Sequence, residues 1–309
     1  MSVRDIAASN PFALHVPGPR IASRTAEGWV DEPYTRFEVT PVAPLIGAVI
    51  SGVSLGDPVD EELFHQLNRA LLEWKVIFFR DQSITPAQQA EFAAHWGPLE
   101  SHPFIGLRDD QREEAPEVVR LEKGPSFGGY ENTWHSDVTW REVPSLGSVL
   151  RAIEVPETGG DTMWADMGAA YDCLPTFVRD RIDDLVAEHD WIVTFGSFMD
   201  ADRKAELRAS FPPAHHPVVR THPETGRRTL YVNRAFTQHL VDVDPEESRA
   251  LLEILYAQAN FPEYQCRWHW RAGDIAFWDN RSSQHYAISD YFPQRRVMER
   301  ITVIGDRPA

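Results

Sequence analysis

The chain has 309 residues, a formal net charge of −17, and 42% hydrophobic and 25% charged residues. That length supplies one large core or two small ones. So acidic a surface disfavours nucleic acid and anionic lipid, yet local arginines can still hold a small anionic substrate.

From the N-terminus, residues 1 to ~33 carry Pro, Gly, Ser and Arg without periodicity and read as an extended or mobile arm. Residues 34–309 show no boundary and no internal repeat, so a single domain is expected there. Between Thr35 and Val53, a loose alternation through Phe37, Val39, Ile46, Ala48 and Ile50 predicts strands. Asp60–Trp74 places Leu63, Leu67, Leu71 and Leu72 at helical spacing, and Val76–Phe79 reads as a buried strand. Thr85-Pro86-Ala87-Gln88 has the form of a helix start, with an N-cap threonine, a first-turn proline and a glutamine three residues on. Asp244-Pro245-Glu246-Glu247 repeats that logic before Leu251, Leu252 and Leu255. In the second half, His216–His222 and Arg228–Val232 flank Pro-Glu-Thr-Gly and predict a hairpin. Cys266–Arg271 and Asp274–Trp278 flank Ala272-Gly273 and predict another, and Val297–Ile304 reads as a final strand. The expected fold is mainly β with flanking helices, its hairpins forming a jelly roll that brings distant strands together.

No stretch approaches the ~18 apolar residues of a membrane span. The first twelve residues lack a charged, then apolar, leader. Cys173 and Cys266 alone make no disulfide framework. A cytoplasmic protein with no membrane and no nucleic-acid partner is expected.

His135 and Asp137 stand two apart, and on a strand they would share a face and reach one ion. With His285 they make two imidazoles and one carboxylate, the donor set of non-haem Fe(II) oxygenases, which leaves metal positions open. Zinc hydrolases use similar donors. What favours oxygen chemistry is the joint pattern of His285 with Arg296 and Arg300. These arginines lie four apart among Val297, Met298 and Ile301, a setting that suits a bound carboxylate or sulfonate. His215 and His216 are adjacent, so on a strand they face opposite ways and cannot serve one ion. His222, His239 and His269 read as surface or hydrogen-bonded structural residues.

Several segments together carry a resemblance: Trp134-His-Ser-Asp-Val-Thr-Trp140, Thr158-Gly-Gly-Asp-Thr-Met-Trp164, His216-Pro-Val-Val-Arg-Thr-His222, Leu230-Tyr-Val-Asn233, and Trp278 to Tyr286 with Gln294 to Arg300. From about Phe37 to Pro308 the chain resembles the taurine dioxygenase family of Fe(II)/2-oxoglutarate oxygenases. The resemblance implies a double-stranded β-helix of the cupin-like, jelly-roll kind. It implies Fe(II) on His135, Asp137 and His285, with 2-oxoglutarate and O2 as co-substrates. It places Thr162 and Arg296 on the distal carboxylate of 2-oxoglutarate, and His102 and Arg300 on a substrate sulfonate. Val138, Thr194, Phe195 and Phe236 would line the substrate pocket. Asp137 favours hydroxylation, since halogenating relatives carry a small residue there.

The expected reaction hydroxylates the carbon beside a taurine-type sulfonate, releasing sulfite and an aldehyde with succinate and CO2. Ile105, Glu131, Trp140 and Thr194 depart from the taurine enzymes' Tyr, Asn, Phe and Ser, which puts taurine itself in doubt. The same chemistry on alkyl sulfate esters, aryloxyalkanoates or an amino-acid-like substrate is the nearest alternative. A non-catalytic metal-binding jelly roll is the alternative from another class. A homo-oligomer, dimer or tetramer, is expected. Gly124, Gly128 and Gly129 mark the segment around residues 111–132 as a candidate lid.

Overall fold

The computed structural model describes residues 20–100, 117–125 and 132–309. His102, Ile105, Glu131 and most of the candidate lid lie outside them. Fifteen strands are described: β1 (Glu38–Pro41), β2 (Ala48–Ser51), β3 (Val76–Phe79), β4 (Val119–Lys123), β5 (Ser145–Glu154), β6 (Thr162–Asp166), β7 (Val186–His189), β8 (Ala214–Pro217), β9 (Val219–Thr221), β10 (Arg228–Leu230), β11 (Thr237–Leu240), β12 (Gln265–Trp268), β13 (Ile275–Asp279), β14 (Ser283–Ala287) and β15 (Arg296–Ile304). Seven form one sheet in the order β1-β2-β3-β13-β5-β15-β4, and β12-β6-β14 form a smaller sheet facing it. β11-β7-β8 and β10-β9 form two further small sheets. The fold is a jelly roll.

Side chains alternate across each strand, so one core lies between the two main sheets and another behind each. Phe78, Leu150, Trp164, Trp268, Trp278 and Met298 fill the space between them. The opposite face of the large sheet, with Ile77, Phe79, Val149, Phe277 and Ile301, packs against the helices Glu61–Trp74 and Pro86–Ala94. Behind the smaller sheet, Leu251, Leu252 and Leu255 of helix Pro245–Gln258 join Val178 and Ile182 of helix Thr176–Ile182. Both predicted helix starts form. Thr85 and Gln88 make a reciprocal capping box, and Asp244 accepts the amides of Glu246 and Glu247.

The 216–232 hairpin is present as β9 paired with β10. The expected 266–278 hairpin is not. β12 pairs with β6 in the small sheet, whereas β13 pairs with β3 and β5 in the large one. The indoles of Trp268 and Trp278 both fill the inter-sheet core, so the two strands stack across it instead of bonding side by side. Residues 20–33 carry no strand or helix, yet Arg20 lies 3.5 Å from the centroid of the Phe261 ring and Arg24 pairs with Glu73 at 2.7 Å. Among the described residues no helix is long and apolar enough to cross a membrane.

Candidate metal and co-substrate site

His135 and His285 meet as an isolated antiparallel bridge. Their backbones exchange both hydrogen bonds, at 3.0 and 2.8 Å, and their rings lie 4.2 Å apart. His285 sits on β14 opposite Trp164 of β6, at the edge of the inter-sheet core. Asp137 does not continue a strand, contrary to the reading of His135 and Asp137 as neighbours on one. It opens a turn, and Val138 takes a left-handed φ of 48°, an outlier for a β-branched residue that its surroundings must hold. The turn still points Asp137 Oδ1 at both imidazoles, 3.9 Å from His135 Nε2 and 4.0 Å from His285 Nε2.

These three side chains form the one His/Cys/Asp/Glu cluster among the described residues with metal-ligand spacing. Its donors suit a divalent ion. His135 Nδ1 donates to the Thr133 carbonyl at 2.8 Å, which leaves Nε2 with its lone pair. Burial foremost, with His135 and Arg300 nearby, pushes His285 down to about 3, so it stays neutral. Burial alone would raise the Asp137 carboxyl. Arg300, the two histidines and the Ser148 hydroxyl outweigh it and hold the group well below the usual carboxylate range. Ser148 Oγ donates to Oδ2 and Arg300 Nη1 to Oδ1, each at 2.9 Å.

A second polar group lies along the same strands. Arg296 and Arg300 share the inner face of β15 with Met298. Arg296 Nε donates to the Gly160 carbonyl at 3.2 Å and its Nη2 reaches Thr162 Oγ1 at 3.5 Å. Trp270 Nε1 donates to that hydroxyl at 3.0 Å. Gly160, at φ 69°, is required here, since a Cβ would sit 3.3 Å from Arg296 Cδ and 3.2 Å from Pro156 Cγ. Beside the histidines stands an apolar wall. Val138 and Phe236 pack in one cluster with Phe195, and Phe236 meets His135 edge-on at 6.3 Å. Thr194 donates its hydroxyl to the Ala235 carbonyl at 2.6 Å, so it fastens the wall's backbone.

Residues 38–302 match the model of the taurine catabolism dioxygenase TauD, TfdA family. The chain belongs to this family. It is 36% identical over 280 residues to an alpha-ketoglutarate-dependent sulfate ester dioxygenase of Pseudomonas putida, covering 88% of this chain and 91% of that one. It is 35% identical over 286 residues to an alkylsulfatase of Acinetobacter baylyi, covering 90% and 88%. The crystal structure of a taurine dioxygenase from Burkholderia xenovorans superimposes with a TM-score of 0.76 at 36% identity, covering 89% and 91%.

As a member of the TauD, TfdA family the protein is a 2-oxoglutarate-dependent dioxygenase. The structure brings together His135, Asp137, His285 and Arg300, with Val138, Phe195 and Phe236 beside them, and groups Thr162 with Arg296. Sequence reasoning missed Ser148 and Trp270. Ser148 is a plain serine in a strand, and nothing local marks it as the partner of a carboxylate eleven residues away.

Proposed function

We propose that this dioxygenase uses Fe(II) held by His135, Asp137 and His285, and that it oxidises alkyl sulfate esters at the carbon bearing the sulfate. The observation that carries the substrate reading is the pairing of Arg300 with the apolar wall. A buried guanidinium stands 2.9 Å from Asp137, the metal-facing carboxylate, and Val138, next to Asp137 in the chain, clusters with Phe195 and with Phe236, whose ring meets His135. That combination fits a sulfur oxyanion on an alkyl tail. Those three wall side chains offer no carboxylate to pair with the ammonium of taurine. Two relatives named for sulfate esters or alkyl sulfates, at 35–36% identity, support the same choice.

When bound, the iron would couple oxidative decarboxylation of 2-oxoglutarate to O2 activation. The chain's own groups would do the positioning. Arg296 and Thr162 hold the distal carboxylate of 2-oxoglutarate, and Arg300 holds the sulfate. Val138 and Phe236 fix the alkyl chain so that its first carbon faces the metal ligands. Hydroxylation of R-CH2-O-SO3⁻ gives a hydroxy ester that collapses to the aldehyde and hydrogen sulfate, with succinate and CO2 as co-products. The free Cys173 and Cys266 fit a reducing cytoplasm.

The test is an aerobic assay with hexyl sulfate, Fe(II) and 2-oxoglutarate. Sulfate equal to succinate is expected, with no release under anaerobic conditions and none from His135→Ala. Sulfate release without O2 would identify a hydrolase. The Burkholderia taurine dioxygenase favours a sulfonate as the second reading, and sulfite from taurine in the same assay would establish it.

A further inference from the structure

The Leu230–Asn233 segment and His216 sit in two of the motifs that mark the family, yet neither touches the proposed metal ligands. They belong instead to a buried polar group gathered around Thr139, two residues after Asp137. Asn233 Nδ2 donates to Thr139 Oγ1 at 3.0 Å, and His189 Nδ1 lies 3.0 Å from the same oxygen. His216 Nε2 lies 2.9 Å from the carbonyls of both Thr139 and Arg141, so it must carry a proton and donate. Asn233 donates to the Thr139 hydroxyl, and that hydroxyl and His189 Nδ1 share one further hydrogen bond. Thr139, His189, His216 and Asn233 are each at most 1% exposed.

The other end of Asn233 holds the opposite wall. Its Oδ1 accepts the Phe236 amide at 3.0 Å. Its own backbone amide donates to Thr237 Oγ1, also at 3.0 Å. One carboxamide therefore ties the turn that carries Asp137 and the left-handed Val138 to the ring that lies edge-on against His135.

We propose that Asn233 and Thr139, supported by His189 and His216, form a positioning brace that sets the Asp137 turn and Phe236 relative to each other, and so sets the spacing of the metal ligands. This rests on the metal reading above. Val138 is the reason a brace is needed. A β-branched residue favours leaving the left-handed region, and leaving it would rotate the peptide next to Asp137. Partners that orient ligands from behind typically change metal affinity 10- to 100-fold when removed.

Mn(II) affinity of the full chain tests this without turnover. Thr139→Val keeps the shape and deletes the hydroxyl, and Thr139→Ser restores it. Expected results are Mn(II) binding weakened about tenfold or more in Thr139→Val and Asn233→Ala, with Thr139→Ser close to wild type. Leu252→Ala, in the core behind the small sheet, controls for stability alone and is expected to lower the melting temperature while leaving Mn(II) affinity unchanged. If wild type binds Mn(II) and Thr139→Val binds it equally well, the brace is overturned and the metal reading stands. If wild type binds no better than His135→Ala, the metal reading falls and the brace with it.

Discussion

Arg296 and Arg300 share one face of one strand but serve different acceptors, and this separates their effects. Arg300 bonds the Asp137 carboxylate, so removing it leaves a buried anion uncompensated within the proposed metal site. Arg296 bonds the Gly160 carbonyl and approaches Thr162, away from Asp137. Arg296→Ala is therefore expected to raise the KM for 2-oxoglutarate about 10- to 100-fold, the range for losing a charge-assisted bond. The KM for hexyl sulfate should change less than about threefold. Steady-state kinetics with each substrate varied in turn checks this, and an unchanged 2-oxoglutarate KM would remove Arg296 from that subsite. A smaller residue carries a structural prediction. A Cβ on Gly147 of β5 would come 2.3 Å from the Trp278 carbonyl of β13. Gly147→Ala must push those strands apart, and urea titration should show a loss of about 2–4 kcal/mol of stability.

At the scale of elements, the β7–β8 pair carries two histidines that make the fold sensitive to acid. His189 and His216 face each other across this pair with ring centroids 5.2 Å apart, and Tyr231 and Arg220 lie against them. Burial foremost, with Arg220 and Arg307, lowers His216 to about 4, and burial with His216 and His215 takes His189 well below its ordinary value. A histidine depressed in the folded state binds its proton more readily when unfolded. Its stabilising share is complete above pH 6.5 and is lost as pH falls toward 4. From pH 7 to 5 the His216 shift corresponds to about 2 kcal/mol, and His216→Gln should remove that share of the loss in urea titrations at the two pH values. The elements also show how far the sequence could be read. Helix starts at Thr85 and Asp244 were legible because capping is local. The grouping of His135, Asp137 and His285 was legible because chemistry restricts which side chains could share a metal. The false hairpin at 266–278 arose because β13 takes its partners from Val76–Phe79 and Ser145–Glu154, and a local turn signal at Gly273 carries no information about them. The turn at Val138 and the roles of Ser148 and Asn233 come from contacts formed only after folding, so no spacing pattern announces them.

For the whole molecule, the geometry of the proposed ligands would couple metal binding to global stability. His285 belongs to β14 of the small sheet, His135 is bridged to it, and the Asp137 carboxylate is held by Ser148 of β5 and Arg300 of β15 in the large sheet. An ion on all three side chains would tie the two sheets together across the core they enclose. Such an ion binds the folded chain and not the unfolded one, since residues 137 and 285 come together only through the fold. Stabilisation then follows mass action, about 2.7 kcal/mol at a free metal concentration one hundred times the dissociation constant. Because strands from both ends of the chain interleave in the large sheet, the gain should move one cooperative transition and not a local one. Calorimetry of the metal-free protein titrated with Mn(II) should show a single endotherm rising with concentration, and His285→Ala should abolish the rise. A second endotherm that ignores the metal would mean that the two sheets unfold separately and that the site does not join them.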